Sequence, residues 1–202
     1  MREEIIRFRF DFNKFSDVFI YLAKNVKTLD KLKAVKLIYL MDRLHLVRYG
    51  KIITGDEYIA LPYGPIPSRS LDIINILQSP EDAEFDNIGL TKLRSKINID
   101  FKAVHPTFCA TIESDNYYLS EAELETINEI IHEYGEKTGG ELIDISHKHE
   151  AWKRYEKLVD SGQFPKIDYE MFFEGNPDAT IDALEYMLES QENRDIDFAI
   201  NS

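Results

Sequence analysis

The longest stretch of patterned apolar residues runs from Thr28 to Gly50, TLDKLKAVKLIYLMDRLHLVRYG. On a helical wheel Leu32, Val35, Tyr39, Leu46 and Tyr49 form one apolar stripe, and Leu37, Leu40, Met41, Leu44 and Val47 form a second. A helix that is apolar on two sides must be covered on two sides, so this one is expected at the centre of the molecule. Thr28 is a candidate N-cap, Asp30 places negative charge in the first turn, Arg48 places positive charge in the last, and Gly50 suits a left-handed C′ position. One position breaks the pattern. Asp42 falls in the middle of the first stripe, with His45 one turn further on at its edge. A carboxylate at the centre of a core needs partners, because an unpaired buried charge costs several kcal/mol or is neutralised by a raised pKa.

The rest of the chain alternates helical and extended signals. Residues 12–26 place Phe15, Val18, Phe19, Leu22, Ala23 and Val26 at helical spacing, with Asp11 or Asn13 near the start, and this helix is expected to pack antiparallel on the central one. Thr54-Gly55-Asp56 is turn chemistry and Tyr58–Leu61 a short strand or extended segment. The prolines of Pro62-Tyr63-Gly64-Pro65-Ile66-Pro67 predict a rigid irregular loop carrying an aromatic, followed by a short helix over Ser68–Gln78. Ser79–Asn87 reads as an acidic turn, while Ile97–Phe101 and Thr107–Ile112 read as short strands, the latter at a sheet edge because of Pro106. Ser120 and Glu123 form a capping box stapled by Leu119 and Leu124, opening a helix with Ile127, Ile130, Ile131 and Tyr134 that stops at Gly135. A further helix follows Thr138-Gly139-Gly140 and leads towards Trp152. Tyr169, Met171, Phe172 and Phe173 form an apolar cluster, Pro177–Glu189 a last amphipathic helix, and the end from Gln191 is expected to fray. Together these predict an α+β fold, predominantly helical: about six helices around Leu29–Tyr49, with one small antiparallel sheet from the 50s to 60s and 97–118. The division expected is a main domain over 1–159 and an acidic, aromatic segment over 160–202 packed on it.

Charge changes this picture more than composition does. The chain carries a net charge of −13, yet residues 1–50 hold 11 Lys/Arg against 6 Asp/Glu, whereas residues 160–202 hold Lys166 and Arg194 against 11 acids. An acidic chain without an Arg/Lys-rich run is a poor grip for a phosphate backbone, so direct nucleic-acid binding is not expected, and a basic protein partner is. Phe172, Phe173, Glu174, Asp182 and Glu185 are the candidate contacts in the acidic segment. With Cys109 as its single cysteine the chain has no internal disulfide framework, and with no membrane-length apolar run it reads as cytoplasmic.

The signatures of nucleotide binding, zinc proteolysis, serine hydrolysis and dithiol redox chemistry are missing, and no cofactor is expected. His147 and His149, two apart on a helix, point to different faces and make a poor metal pair. Asp42, His45 and His147 could form an acid–base constellation if they converge in an open cleft. The stronger reading is that Asp42 accepts hydrogen bonds from the segment Thr54–Tyr63 and that His147 is a core imidazole near Trp152, hydrogen-bonded to backbone. The proline-stiffened loop would present Tyr63, Pro65 and Ile66 with little ordering entropy left to lose, which suits interface anchors.

Lys36–Gly50, Ile53-Thr54-Gly55-Asp56-Glu57-Tyr58, Tyr63-Gly64-Pro65-Ile66-Pro67, Leu119-Ser120 with Glu123, and His147 with Trp152 occur in that order, and the ordered set resembles the Panacea domain, also known as the SocA-like antitoxin domain. Carried over by the resemblance, Asp42, His45, Tyr49, Gly50, Thr54, Gly55, Asp56, Tyr58, His147 and Trp152 are motif positions with a structural role. The resemblance implies a non-enzymatic antitoxin, often in a prophage or phage-defence setting, that neutralises a cognate toxin by direct binding. It also implies an alternative, an adaptor that delivers the toxin to a ClpXP-type AAA+ protease; a small hydrolase built on Asp42, His45 and His147 is a third reading.

Overall fold

The computed structural model describes residues 8–79, 88–112 and 116–200. The start of the charged N-terminal stretch and nearly all of the acidic turn expected over 79–87 lie outside the described residues. The fold is α+β and predominantly helical, built around helix α2, Lys31–Tyr49, in which every residue from Lys33 to Val47 except Arg43 is buried. Tyr49, assigned to an apolar stripe, is exposed. The N-cap is Asp30 rather than Thr28: the Asp30 carboxylate accepts the Lys33 N–H at 2.8 Å, while Thr28 sits at φ 49 outside the helix. The cause is not local. Leu29 and Asp30 form strand β1, paired with Phe108 and Thr107, which keeps the backbone extended until Asp30. At the other end Gly50 closes the helix at φ 68, its N–H bonded to the Leu46 carbonyl at 2.8 Å.

Helix α1, Phe12–Asn25, is capped by Asp11, which accepts the Asn13 and Lys14 N–H groups, and it buries Phe15, Val18, Phe19, Leu22 and Ala23. It packs on α2 and on a three-stranded antiparallel sheet of order β1-β5-β4, with β4 at Ile97–Asp100 and β5 at Thr107–Ala110. Thus β5 is the middle strand, not an edge; Pro106 lies one residue before it, so its missing N–H removes no ladder bond. Helix α4, Ile88–Ser95, was not expected, and it buries Leu90 and Leu93 as it packs beside α1.

The segment expected to be irregular forms a second sheet. Strand β2, Tyr58–Leu61, pairs with β3, Gly64–Pro67, across a two-residue turn at Pro62-Tyr63. Hydrogen-bonded and non-bonded pairs alternate along an antiparallel ladder. The Ser68 N–H to Glu57 carbonyl bond, 2.9 Å, sets the phase so that Ile66 and Gly64 face β2 while Pro65 and Pro67 fall at positions whose nitrogens point away. The prolines are therefore compatible with the ladder. The expected single sheet is two separate ones.

Helix α3, Ser68–Gln78, follows the hairpin directly. Helix α5, Glu121–Tyr134, carries the expected capping box, and α6, Gly139–His147, carries a second, in which Thr138 and Glu141 exchange the same two bonds. Short helices α7, Glu150–Lys153, and α8, Glu156–Asp160, and a 3₁₀ turn at Tyr169–Phe172 lead to α9, Ile181–Ile200. This last helix starts later than Pro177 and, instead of fraying from Gln191, stays helical to Ile200. Its start is set by Thr180, whose N–H bonds the Val47 carbonyl at 3.1 Å and whose hydroxyl accepts the Ala183 N–H at 3.1 Å. Ala183 and Met187 are buried where α9 meets α2, and a Cβ on Gly50 would stand 2.5 Å from the Ala183 carbonyl.

Candidate functional site

Asp42 is fully buried and organises the turn that follows α2. Its Oδ1 accepts the Ile53 N–H at 3.1 Å and the Thr54 N–H at 3.0 Å, while Oδ2 accepts the Tyr58 hydroxyl at 2.7 Å and the Thr54 hydroxyl. Four donors converge on one carboxylate, three of them from the expected segment Thr54–Tyr63 and the fourth from Ile53 just before it. Burial pushes its pKa up to about 7, against the pull of the bonds from Thr54 and Tyr58. Asp56 does the same work at the exit of the hairpin, accepting the Arg69 N–H at 2.9 Å, the Ser70 N–H at 2.7 Å and the Ser70 hydroxyl at 2.6 Å, so it satisfies the first amides of α3. Between them Gly55, at φ 71, lies under the N-terminal segment; a Cβ there would collide with the Arg9 carbonyl.

The hairpin is held from three sides. The Trp152 indole N–H donates to the Leu61 carbonyl at 2.9 Å, the Lys36 ammonium donates to the Pro65 carbonyl at 3.1 Å, and on the outer edge Ala60 N–H bonds Pro165 O at 2.9 Å while Ile167 N–H bonds Tyr58 O at 2.8 Å. Gly64 stands at φ 91, and a Cβ there would meet Lys36 Nζ and Ser146 Oγ at 2.5 Å each. The His147 ring stacks on Trp152 with centroids 3.7 Å apart and planes 9° apart, and it hydrogen-bonds the Pro62 backbone, while its Nε2 is buried without a partner. Lys36 is fully buried with no carboxylate paired to it among the described residues, and burial lowers its pKa to about 7. From this frame Tyr63 projects with 65% of its surface exposed. Pro65 and Ile66, the other two contact candidates of this segment, are buried, so they are not available as contacts.

The acid–base constellation does not form. Asp42 spends its oxygens on the turn, His45 Nδ1 lies 3.0 Å from the Thr126 hydroxyl, and His147 is packed on Trp152. Burial lowers the pKa of His45 to about 4 and that of His149, bonded to the Tyr39 hydroxyl at 2.9 Å, to about 3, so both are neutral imidazoles. His147 and His149 have different neighbours, though not as two positions of one helix: α6 ends at His147, and His149 is extended, at φ −79 and ψ 135, ahead of α7. Among the described residues no cluster of His, Cys, Asp and Glu is arranged for a metal, and no helix is long and apolar enough to cross a membrane.

The acidic segment divides into buried and exposed parts. Phe172 is fully buried against Tyr39 and Tyr58, so it is core, and Phe173 is half-buried. Glu174, Asp182 and Glu185 are exposed, Glu174 with the Arg154 guanidinium 3.8 Å away. Arg48 ties the segment to the body, donating to both oxygens of Glu129 at 2.6 and 2.9 Å and to Asp178 at 2.7 Å. Sequence reasoning missed Lys36, Gly64 and Ser146. The signal was there for Lys36, an ammonium on a helix face otherwise apolar, by the argument that singled out Asp42.

The family model described as antitoxin SocA-like, Panacea domain, matches residues 35–153. No curated protein sequence and no solved structure gives a match. The matched span covers more than half of the chain and contains Asp42 with its donors, the hairpin and its Trp152 and Lys36 anchors. This protein belongs to the SocA-like antitoxin family and carries its Panacea domain.

Proposed function

We propose that the protein is the antitoxin of a toxin–antitoxin pair, encoded in a prophage or defence locus and acting in the cytoplasm, and that it neutralises its toxin by direct contact through the hairpin tip. Family membership supports the antitoxin role in general. The observation that carries direct contact is Tyr63: a large aromatic left exposed at the end of a hairpin whose backbone is fixed by Lys36, Trp152 and the two carboxylates Asp42 and Asp56. A rigid aromatic loses little entropy on binding, and such residues dominate interface energetics. The exposed acids Glu174, Asp182 and Glu185 supply complementary charge for a basic toxin surface and act mainly on association rate.

The test is co-expression with the protein encoded by the adjacent gene, in hosts with and without ClpXP. Growth restored in both hosts is the expected result. Rescue only where the protease is present overturns direct neutralisation in favour of the adaptor, and no rescue in either host overturns the antitoxin reading.

A further inference from the structure

Helix α9 turns one face to the body and leaves an apolar stripe uncovered on another. Ala183 and Met187, four apart, are buried where it meets α2. Ile181 and Leu188, seven apart and so two turns along a single stripe, lie on the far side of the helix and are 75% and 38% exposed. Leu184, half-buried, sits between the two faces. Glu185 and Glu189 follow the stripe along one flank, with Asp182 next to them. All three acids are exposed, and none enters an ion pair among the described residues. Lys51, over the Tyr186 ring at 5.2 Å, stands beyond these acids on the side away from Ile181 and Leu188. The sequence has eight Asp/Glu and no Lys or Arg between Lys166 and Arg194. Of the cations in the body, Arg48 reaches Asp178 and Arg154 reaches Glu174, both upstream of α9.

We infer that the outer face of α9 is a docking site for a basic amphipathic helix of a partner protein, which packs apolar residues on Ile181, Leu184 and Leu188 and sets Lys or Arg against Glu185 and Glu189. A helix is the element that fits. The face is a row of side chains with no strand edge to extend, and apolar residues three, four and seven apart on a partner helix interlock with such a row. Charge decides the occupant. A second copy would bring the same acids against the same face, in a chain of net charge −13, whereas a basic helix neutralises them and is steered towards them. In the antitoxin reading this helix belongs to the toxin, and only that identity, not the docking mode, rests on the reading above.

The test pans a displayed library of helix-forming peptides of about twenty residues against the full-length protein, with no toxin present. Enriched sequences should combine Lys or Arg with apolar residues at helical spacing. Their binding should fall about tenfold or more in the double variant Ile181→Ser/Leu188→Ser, and it should weaken with added salt and in Glu185→Lys/Glu189→Lys. Hydrogen exchange should slow along α9 when peptide is bound. If the serine variant loses helix by circular dichroism, the charge variant and the exchange map decide alone. Failure to enrich basic sequences, binding indifferent to both double variants, protection confined to the hairpin, or a dimer of the parent protein that the serine variant dissociates overturns the proposal. Peptides that bind as expected while the product of the adjacent gene does not bind support this docking face and overturn the antitoxin reading alone.

Discussion

The turn and hairpin of residues 53–70 and the C-terminal segment of residues 160–200 are both fastened to α2, by opposite uses of charge. In the first, two carboxylates lie inside and every oxygen is spoken for by backbone amides and hydroxyls. In the second, the fastening charges lie at the surface, in the Arg48 pairs with Glu129 and Asp178, while Phe172, Ala183 and Met187 supply the buried grip. Interior carboxylates fix geometry because undoing them strands several donors without water. Surface pairs leave neighbouring acids free to meet another molecule.

The contrast is broken most forcefully at Asp42. Asp42→Ala leaves four donors facing no acceptor and should lower the unfolding free energy by about 3 kcal/mol, read from the urea midpoint. A loss under about 0.5 kcal/mol would place Asp42 among ordinary surface positions and remove the distinction.

Gly64→Ala comes next. Its φ of 91 and the approach of Lys36 Nζ and Ser146 Oγ to 2.5 Å from a Cβ predict a loss of about 2 kcal/mol. Because Trp152 is the only tryptophan and bonds Leu61 in the same hairpin, its fluorescence should change in the folded variant. Unchanged emission and stability would mean the hairpin yields more easily than its anchors suggest.

Acid sharpens the comparison. His45 and His149 have folded pKa values near 4 and 3, below the ordinary imidazole value of 6.5, so the unfolded chain binds more protons and stability is lost as pH falls below 6.5. Asp42 works against this: its folded pKa of about 7 exceeds the ordinary 3.8, so the folded state takes up a proton first and gains stability as pH falls from 7 towards 4. Asp42→Asn should therefore lose stability more steeply between pH 6.5 and 4 than the parent does, in melts across that range. An identical or shallower slope would contradict the opposed signs.

The smallest effect belongs to the tail. Arg48→Ala should cost about 0.5–1 kcal/mol at low salt, and the difference should shrink in high salt, since its partners are half exposed. A loss as large as that of Asp42→Ala would show that the tail is fastened like the hairpin.

What was legible from sequence was whatever local rules decide. The Ser120–Glu123 capping box, the Gly50 stop and the anomaly at Asp42 each follow from residues within a turn or two, and each stands where it was expected. The Thr138–Glu141 box obeys the same rule and was open to the same reading. What failed was decided from afar. Thr28 lost the cap to Asp30 because Leu29 pairs with Phe108, and Pro65 and Pro67 entered a strand because their phase against β2, not their number, determines whether a missing N–H matters. At the candidate site, Lys36, Gly64, Ser146 and His147 come from three separate segments, and their meeting has no signature in spacing. Phe172 shows why an aromatic in an acidic stretch could not be placed by composition: packing on Tyr39 and Tyr58 makes it core.

In the direct contact proposed above, the exposed Tyr63 at the hairpin tip meets the toxin. The measurement is the dissociation constant of the purified protein with the protein encoded by the adjacent gene, for the parent and for Tyr63→Ala, alongside the melting temperature of each. Tyr63 is exposed, so its removal should leave the melting temperature unchanged while weakening the complex about thirtyfold or more, as expected for loss of an aromatic anchor worth about 2 kcal/mol. An unchanged dissociation constant in a variant that melts like the parent would contradict the account.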